Sequence, residues 1–182
     1  MNEADAIVRE IETVLQGLRD EEMDMFVQTI FEAGRIFIVG EGRTGFMMKS
    51  FAMRLMHMGL CVFVAGETIT PAMMTDDLLI AGSGSGSTQS VLHVARTAVN
   101  LGAHLIAVTA HPESPLGELA EAVIHIAAAT KGRSEGEATS AQPLSSLFDQ
   151  CLHVVLDATC LRLLSLLHEQ SENLLKRHTN ID

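Results

Sequence analysis

The residues best suited to chemistry gather in two glycine-containing stretches. Gly82-Ser83-Gly84-Ser85-Gly86-Ser87-Thr88 follows a short apolar run and leads into an amphipathic stretch. Small residues in succession let backbone N–H groups converge, and the serines and threonine add hydroxyl donors. At a helix N-terminus that arrangement is an anion cradle suited to phosphate. A flexible Gly/Ser linker has the same composition, but linkers rarely sit between a buried strand and an amphipathic helix. Gly40-Glu41-Gly42-Arg43-Thr44-Gly45 follows another apolar run and fits G-x-G-x-x-G, the dinucleotide fingerprint. Glu67 lies roughly where the ribose-binding acid of that fingerprint falls. A glycine turn after a buried strand also arises wherever a chain must reverse tightly. Arg43 offers positive charge to an anionic ligand, and Glu67 offers acceptors to sugar hydroxyls. Their plain alternatives are a solvated loop arginine and a strand-end acid in water. A full dinucleotide is the poorer occupant, because the chain is short and shows no obvious substrate domain. A smaller ligand carrying one phosphate fits better. The pattern G-x-x-x-x-G-K-[ST] is absent, so ATP hydrolysis has no support.

Other residue types narrow the field. His57, His93, His104, His125, His153 and His168 show no H-x-H or H-x-x-x-H pairing and read as structural or surface histidines, not metal ligands. Of ten methionines, seven fall between Met47 and Met74, a pattern of core and interface filling. Cys61, Cys151 and Cys160 are odd in number and not in metal-ligand spacing, as expected of reduced cytoplasmic thiols. Neither a metal nor another cofactor is implied. Lys and Arg total 12 against 23 Asp and Glu, a net charge of −11. That balance argues against nucleic acid or an anionic membrane as partner, since both need a basic face. The acidic opening Met1-Asn2-Glu3-Ala4-Asp5 is unlike a targeting segment, and no uninterrupted apolar run approaches the ~18 residues of a membrane span. The expectation is a cytoplasmic globular protein.

The elements that must position the two stretches follow from periodicity. Ile7, Ile11, Val14, Leu15 and Leu18 recur at helical spacing. A second helix is predicted after Asp20 as N-cap, with Met23, Phe26, Val27, Ile30 and Phe31 as its apolar stripe. Short apolar runs at Ile36–Val39, Cys61–Ala65, Leu78–Ala81, Leu105–Val108 and Ala122–Ile126 read as buried parallel strands. Helical stretches between them, notably Phe46 to Met58 and Thr88 to Leu101, imply right-handed crossovers. Residues 130–142 are polar and glycine-containing, a mobile loop. Beyond Pro143 a long helix is apolar on much of its circumference, as if buried on two sides, against its own sheet and against another subunit. The simpler alternative is packing on its own sheet alone. One domain spanning 1–182 is predicted, with N-terminal helices over about 1–33 and a C-terminal helix and tail over about 143–182. The fold class is a three-layer α/β/α sandwich with a five-stranded parallel sheet of flavodoxin-like order 2-1-3-4-5. In that order strands 1 and 3 flank the switch point where ligands settle, so both glycine stretches face one crevice.

The sequence resembles the SIS (sugar isomerase) domains, and among them the 6-phospho-3-hexuloisomerases. The stretches that carry the resemblance are Gly42–Gly45, Phe51-Ala52-Met53-Arg54-Leu55-Met56-His57-Met58-Gly59 and Gly66-Glu67-Thr68-Ile69-Thr70-Pro71. Further matches are Asp76–Ile80, Gly82–Gly86, His111-Pro112-Glu113-Ser114 and Arg177-His178-Thr179-Asn180. The resemblance implies a metal-independent isomerase without cofactor that interconverts D-arabino-hex-3-ulose 6-phosphate and D-fructose 6-phosphate, the second step of formaldehyde fixation by the ribulose monophosphate route. It also implies a homotetramer with sites shared between subunits. Carried over residue by residue, Ser83, Ser85 and Thr88 bind phosphate within the loop that Gly84, Gly86 and Ser87 complete, and Thr44 adds a hydroxyl. Asp149 stands where the family usually has a glutamate general base, one methylene longer. Ser87 stands where it usually has a charged residue. His178 matches a histidine supplied by a neighbouring subunit. Moving the carbonyl from C3 to C2 removes the C2 proton, passes a cis-enediol and reprotonates C3. One carboxylate can make both transfers, and a histidine can shuttle the proton between O2 and O3. A non-catalytic sugar-phosphate sensor would keep the serine loop without needing Asp149 or His178. Another sugar-phosphate aldose/ketose isomerase is the second alternative.

Overall fold

The computed structural model describes residues 2–133, 137 and 139–181. The apolar runs form β1 (Ile36–Gly40), β2 (Val62–Val64), β3 (Leu78–Gly82), β4 (His104–Thr109) and β5 (Ala122–His125). They lie in one parallel sheet of order β2-β1-β3-β4-β5, as the alternating pattern predicts. Strand alternation divides their side chains between two cores. Ile36, Ile38, Leu78, Ile80, Ile106 and Val108 meet α1 (Glu3–Leu15), α2 (Asp20–Glu32), α3 (Gly42–His57) and α6 (Ser146–Leu167). Phe37, Val39, Leu79, Ala81, Leu105 and Ala107 face the other way, onto α4 (Gln89–Asn100) and the short α5 (Pro115–Leu119). The crossover helices α3 and α4 therefore cover opposite faces, and the chain turns after β1 and β3 border the same crevice. The register sets Gly40 beside Gly82 at its mouth.

Several boundaries differ from the sequence pattern, each for a local reason. Asp20 is the first residue of α2 and not its cap; Arg19 holds the cap position, and Asp20, Glu21 and Glu22 load the positive end of the helix. Helix α3 starts at Gly42 and not near Phe46, so Arg43 and Thr44 occupy its first turn. Gly45 permits this, because a Cβ there would stand 2.7 Å from the Gly40 carbonyl oxygen. The expected C-terminal helix is two helices, α6 and α7 (Ser171–Arg177), separated at His168 in a left-handed conformation with φ of 51°. Helix α5 is set by Ser114, whose hydroxyl accepts from the Gly117 N–H, and by Pro115 in the first turn.

By length and composition α6 could cross a membrane, but here Phe148, Cys151, Leu152, Val155 and Leu156 are buried in a core shared with α1, α2 and α3. Its outer side keeps Val154 and Leu161 exposed. Cys151 and Cys160 are free and buried, and burial pushes both thiols up to about 12, so neither is a thiolate at neutral pH. Of the expected 130–142 loop, residues 134–136 and 138 lie outside the described residues. Its end is held by Glu10 of α1, whose carboxylate accepts from the Ala141 N–H at 2.9 Å and from Ser140 Oγ at 2.7 Å.

Candidate active site

The turn after β3 is shaped by its neighbours. The Ser83 N–H donates to the Val108 carbonyl at 3.0 Å, which prolongs the pairing of β3 with β4. Thr109 Oγ1 and the Ala110 N–H donate to the Gly84 carbonyl at 3.2 and 3.1 Å, and the Leu116 N–H donates to that of Gly86 at 3.0 Å. Gly86 has φ of +60°, and a Cβ there would come 1.8 Å from Ser114 Oγ, so this position requires glycine. Ser83 is buried with its hydroxyl 3.0 Å from Thr88 Oγ1, and Ser87 Oγ donates to Ser85 Oγ at 3.0 Å. Thr88 is the N-cap of α4 and makes no side-chain capping bond. The first N–H groups of a helix have no intrahelical acceptors, so an anion over this turn meets the positive end of α4.

A cleft of about 150 Å³ opens here. Gly82, Ser83, Gly84, Ser85 and Thr88 line it from the serine turn, and Thr44 lines it from α3. Glu41, Lys131 and Ser145 complete the lining; Glu41 belongs to the first glycine stretch without a role assigned by its pattern, and no sequence motif marks Lys131 or Ser145. No periodicity marks a residue in an irregular segment, and the only hint of Lys131 was a basic residue shortly after the last strand. Larger hollows of about 460 Å³ lie at the amino ends of the strands, around Gly34, Leu78 and His104, and beside α6, around Val154 and Leu161. Neither includes a residue of the serine turn.

Asp149 lies in the first turn of α6 and is 3% exposed. Thr44 Oγ1 donates to its Oδ1 at 2.6 Å. Arg43 Nε lies 3.8 Å from its Oδ2, while Arg43 Nη1 donates to Ser146 Oγ at 3.1 Å. Burial raises the Asp149 carboxyl above the ordinary aspartate range, against the opposing pull of the Thr44 hydrogen bond and the Arg43 charge. Thr44 both lines the cleft and bonds the carboxylate, so Asp149 sits one hydroxyl behind the cleft wall. Such a carboxylate, held partly desolvated, is suited to accepting a proton from carbon.

The other expected site residues lie apart. Glu67 is exposed and pairs with Lys49 Nζ at 2.6 Å, outside the cleft lining. His178 follows α7, and its ring stacks on the buried His57 with centroids 5.1 Å apart and planes 27° from parallel. Arg177 Nη1 donates to the His57 carbonyl at 3.0 Å, and Arg177 Nη2 to Glu169 at 3.0 Å. Burial, with the neighbouring His178, lowers the His57 pKa. Thr44 and His57 lie near opposite ends of α3, roughly 20 Å apart at the rise of a helix. One chain therefore does not bring its own His178 to its own Asp149. Among the described residues, no group of three or more His, Cys, Asp or Glu is placed to hold a metal ion.

A doubly wound sheet with a serine-lined cleft at its switch point places the chain among the sugar isomerase domains. The chain belongs to the SIS domain family, whose model matches residues 29–155. It is 39% identical over 176 residues to the 3-hexulose-6-phosphate isomerase of Bacillus subtilis, covering 97% of this chain and 95% of that one. Identity to the 3-hexulose-6-phosphate isomerase of Mycobacterium gastri is 43% over 162 residues, covering 89% and 81%. A solved protein of Methanococcus jannaschii, for which a molecular function of 3-hexulose-6-phosphate isomerase is inferred, superposes with a TM-score of 0.86 at 32% identity over the full length of both chains. The motif resemblance and these relatives point to the same group.

Proposed function

We propose that this protein interconverts D-arabino-hex-3-ulose 6-phosphate and D-fructose 6-phosphate through a cis-enediol, the step that follows formaldehyde capture in the ribulose monophosphate route. The observation that carries the assignment is the double role of Thr44, which joins the serine-lined cleft to a buried carboxylate of raised pKa. The substrate phosphate sits over Ser83, Ser85 and Thr88 at the positive end of α4, with Gly84, Gly86 and Ser87 shaping the turn. Thr44 then turns its hydroxyl toward the sugar, which frees Asp149 Oδ1 to take the C2 proton and return it at C3. Arg43 keeps the carboxylate oriented. Glu67, at the carboxyl side of β2, is the reserve candidate for a sugar contact.

A cleft of about 150 Å³ is small beside the roughly 300–1,000 Å³ of ordinary small-molecule pockets. One chain therefore accommodates the phosphate end, and the sugar needs a further wall. We assign that wall to a neighbouring copy in a homotetramer, with the partner subunit's His178 shuttling the proton between O2 and O3. The docking of α7 on α3 holds the tail away from its own cleft, where another chain's cleft can receive it. The two free buried cysteines suit a reducing cytoplasm.

Complementation tests this arrangement. Asp149→Asn and His178→Ala subunits, each inactive alone, are mixed and allowed to exchange while phosphorus NMR follows conversion of fructose 6-phosphate. Activity is expected to return in mixed oligomers. Verified mixed oligomers that stay inactive would remove His178 from the shared site, and a wild type that binds fructose 6-phosphate without converting it would be a sensor.

A further inference from the structure

We propose that Lys131 binds the phosphate of the substrate, and that the residues around it are braced to present it to the cleft. The proposal rests on the cleft being the phosphate site. Charge inside that cleft is the first argument. Ser83, Ser85, Thr88 and Thr44 supply only neutral donors, Glu41 brings a negative charge, and the chain as a whole carries −11. A phosphate dianion entering such a field needs a cation, and Arg43 is turned toward Asp149 and Ser146 instead. Lys131 is the cation among the residues that line the cleft. A compact ammonium on a flexible stem suits a phosphate, to which it acts as a point charge.

The second argument is the bracing of the chain that leads into Lys131. Thr130 is buried, and its N–H and Oγ1 donate to the Glu137 carboxylate at 2.7 and 2.6 Å. His111, in the β4–α5 connection, holds the same carboxylate with Nε2 at 2.9 Å from Oε1. The Lys131 N–H donates to Ser145 Oγ at 2.9 Å, and Ser145 is both the N-cap of α6 and a lining residue of the cleft. The two peptide units that lead into Lys131 are thus tied to two separate partners, Glu137 and Ser145. An exposed lysine whose only role is solvation has no need of a backbone fixed by a nearly buried carboxylate, which is costly to bury without such partners. The bracing leaves the lysine stem free while fixing where it starts. Glu137 and Ser145 act on substrate only through Lys131 and are positioning residues.

The experiment measures KM and kcat for fructose 6-phosphate and the inhibition constant of inorganic phosphate, for the wild type, Lys131→Gln, Lys131→Arg and Glu137→Gln. Loss of a charge-assisted contact is expected to raise both KM and the phosphate inhibition constant roughly tenfold or more in Lys131→Gln. kcat should stay within a few-fold, and arginine should recover most of the loss. Glu137→Gln should raise KM in the same sense by less, again with kcat kept. A folded Lys131→Gln enzyme with unchanged KM and phosphate inhibition would overturn the proposal, as would a fall in kcat at constant KM. If the wild type turns over no fructose 6-phosphate, the functional reading fails. Calorimetric titration of inorganic phosphate into wild type and Lys131→Gln then still decides the role of Lys131, with equal affinities refuting it.

Discussion

Asp149→Asn removes a charge while keeping a shape, so it separates catalysis from folding. A general base contributes about 10²–10⁴-fold, or roughly 2.7–5.4 kcal/mol of barrier at 1.36 kcal/mol per tenfold. kcat should fall by that factor. Stability should move the other way. The side chain is 3% exposed, and burial raises its pKa above the unfolded value. The unfolded chain therefore releases this proton at lower pH than the folded one, and stability falls as pH rises through that interval. Asp149 contributes fully below its unfolded pKa near ~3.9, and that contribution is lost as pH rises through the folded pKa. Asparagine does not titrate, and its Oδ1 still accepts from Thr44. The lost attraction to Arg43 acts over 3.8 Å to a half-exposed side chain and is worth little. The variant should therefore match or exceed wild-type stability at neutral pH, with the difference growing upward from about pH 4. Turnover of fructose 6-phosphate and urea denaturation across pH measure the two effects. Near wild-type turnover would place the base elsewhere, with Glu67 next in line. A marked loss of stability at neutral pH would make Asp149 a structural anchor.

Three further perturbations probe the same site. Ser85→Ala removes a donor to a charged oxygen, worth about 1.5–3 kcal/mol, so KM should rise at least tenfold while kcat holds; an unchanged KM would count against phosphate over this turn. Gly86→Ala forces a Cβ to 1.8 Å from Ser114 Oγ at a positive φ, and should lower Tm and abolish phosphate protection against heat; an unperturbed Tm would mean the turn is loose. Thr44→Val deletes the hydrogen bond that lowers the Asp149 pKa. The acid limb of the kcat/KM profile, which reports the free enzyme, should shift to higher pH than in the wild type, and a limb that stays put would detach Asp149 from the rate.

The strands were legible because a parallel sheet covered on both faces needs continuous apolar runs, and Ile36–Val39 and Leu78–Ala81 are such runs. The serine turn was legible because small hydroxyl residues between a buried apolar run and an amphipathic stretch mark a strand-to-helix turn. The start of α3 was not, since Gly45 reads as a loop glycine until its contact with Gly40 is seen. The division of α6 from α7 at His168 carries no glycine or proline to announce it. Asp149 is, by pattern alone, an acid in a first turn that favours the helix dipole; its burial against Thr44 comes from the packing of α3 on α6, which no local pattern encodes. Glu67 was expected near the sugar and pairs instead with Lys49 in the chain as it stands. Lys131 belongs to an irregular segment, where position is fixed by hydrogen bonds to distant residues and not by spacing.

The most direct measurement of the central claim is proton exchange. Fructose 6-phosphate is incubated with the protein in deuterated water and followed by proton NMR. Abstraction at C3 and return from solvent through a 2,3-enediol should erase the C3 proton signal, with the Asp149→Asn variant slower by the factor given above. Retention of the C3 proton with no 3-hexulose 6-phosphate formed, by folded protein that binds fructose 6-phosphate, would contradict the account, and exchange at C1 would instead mark a 1,2-enediol and an aldose product.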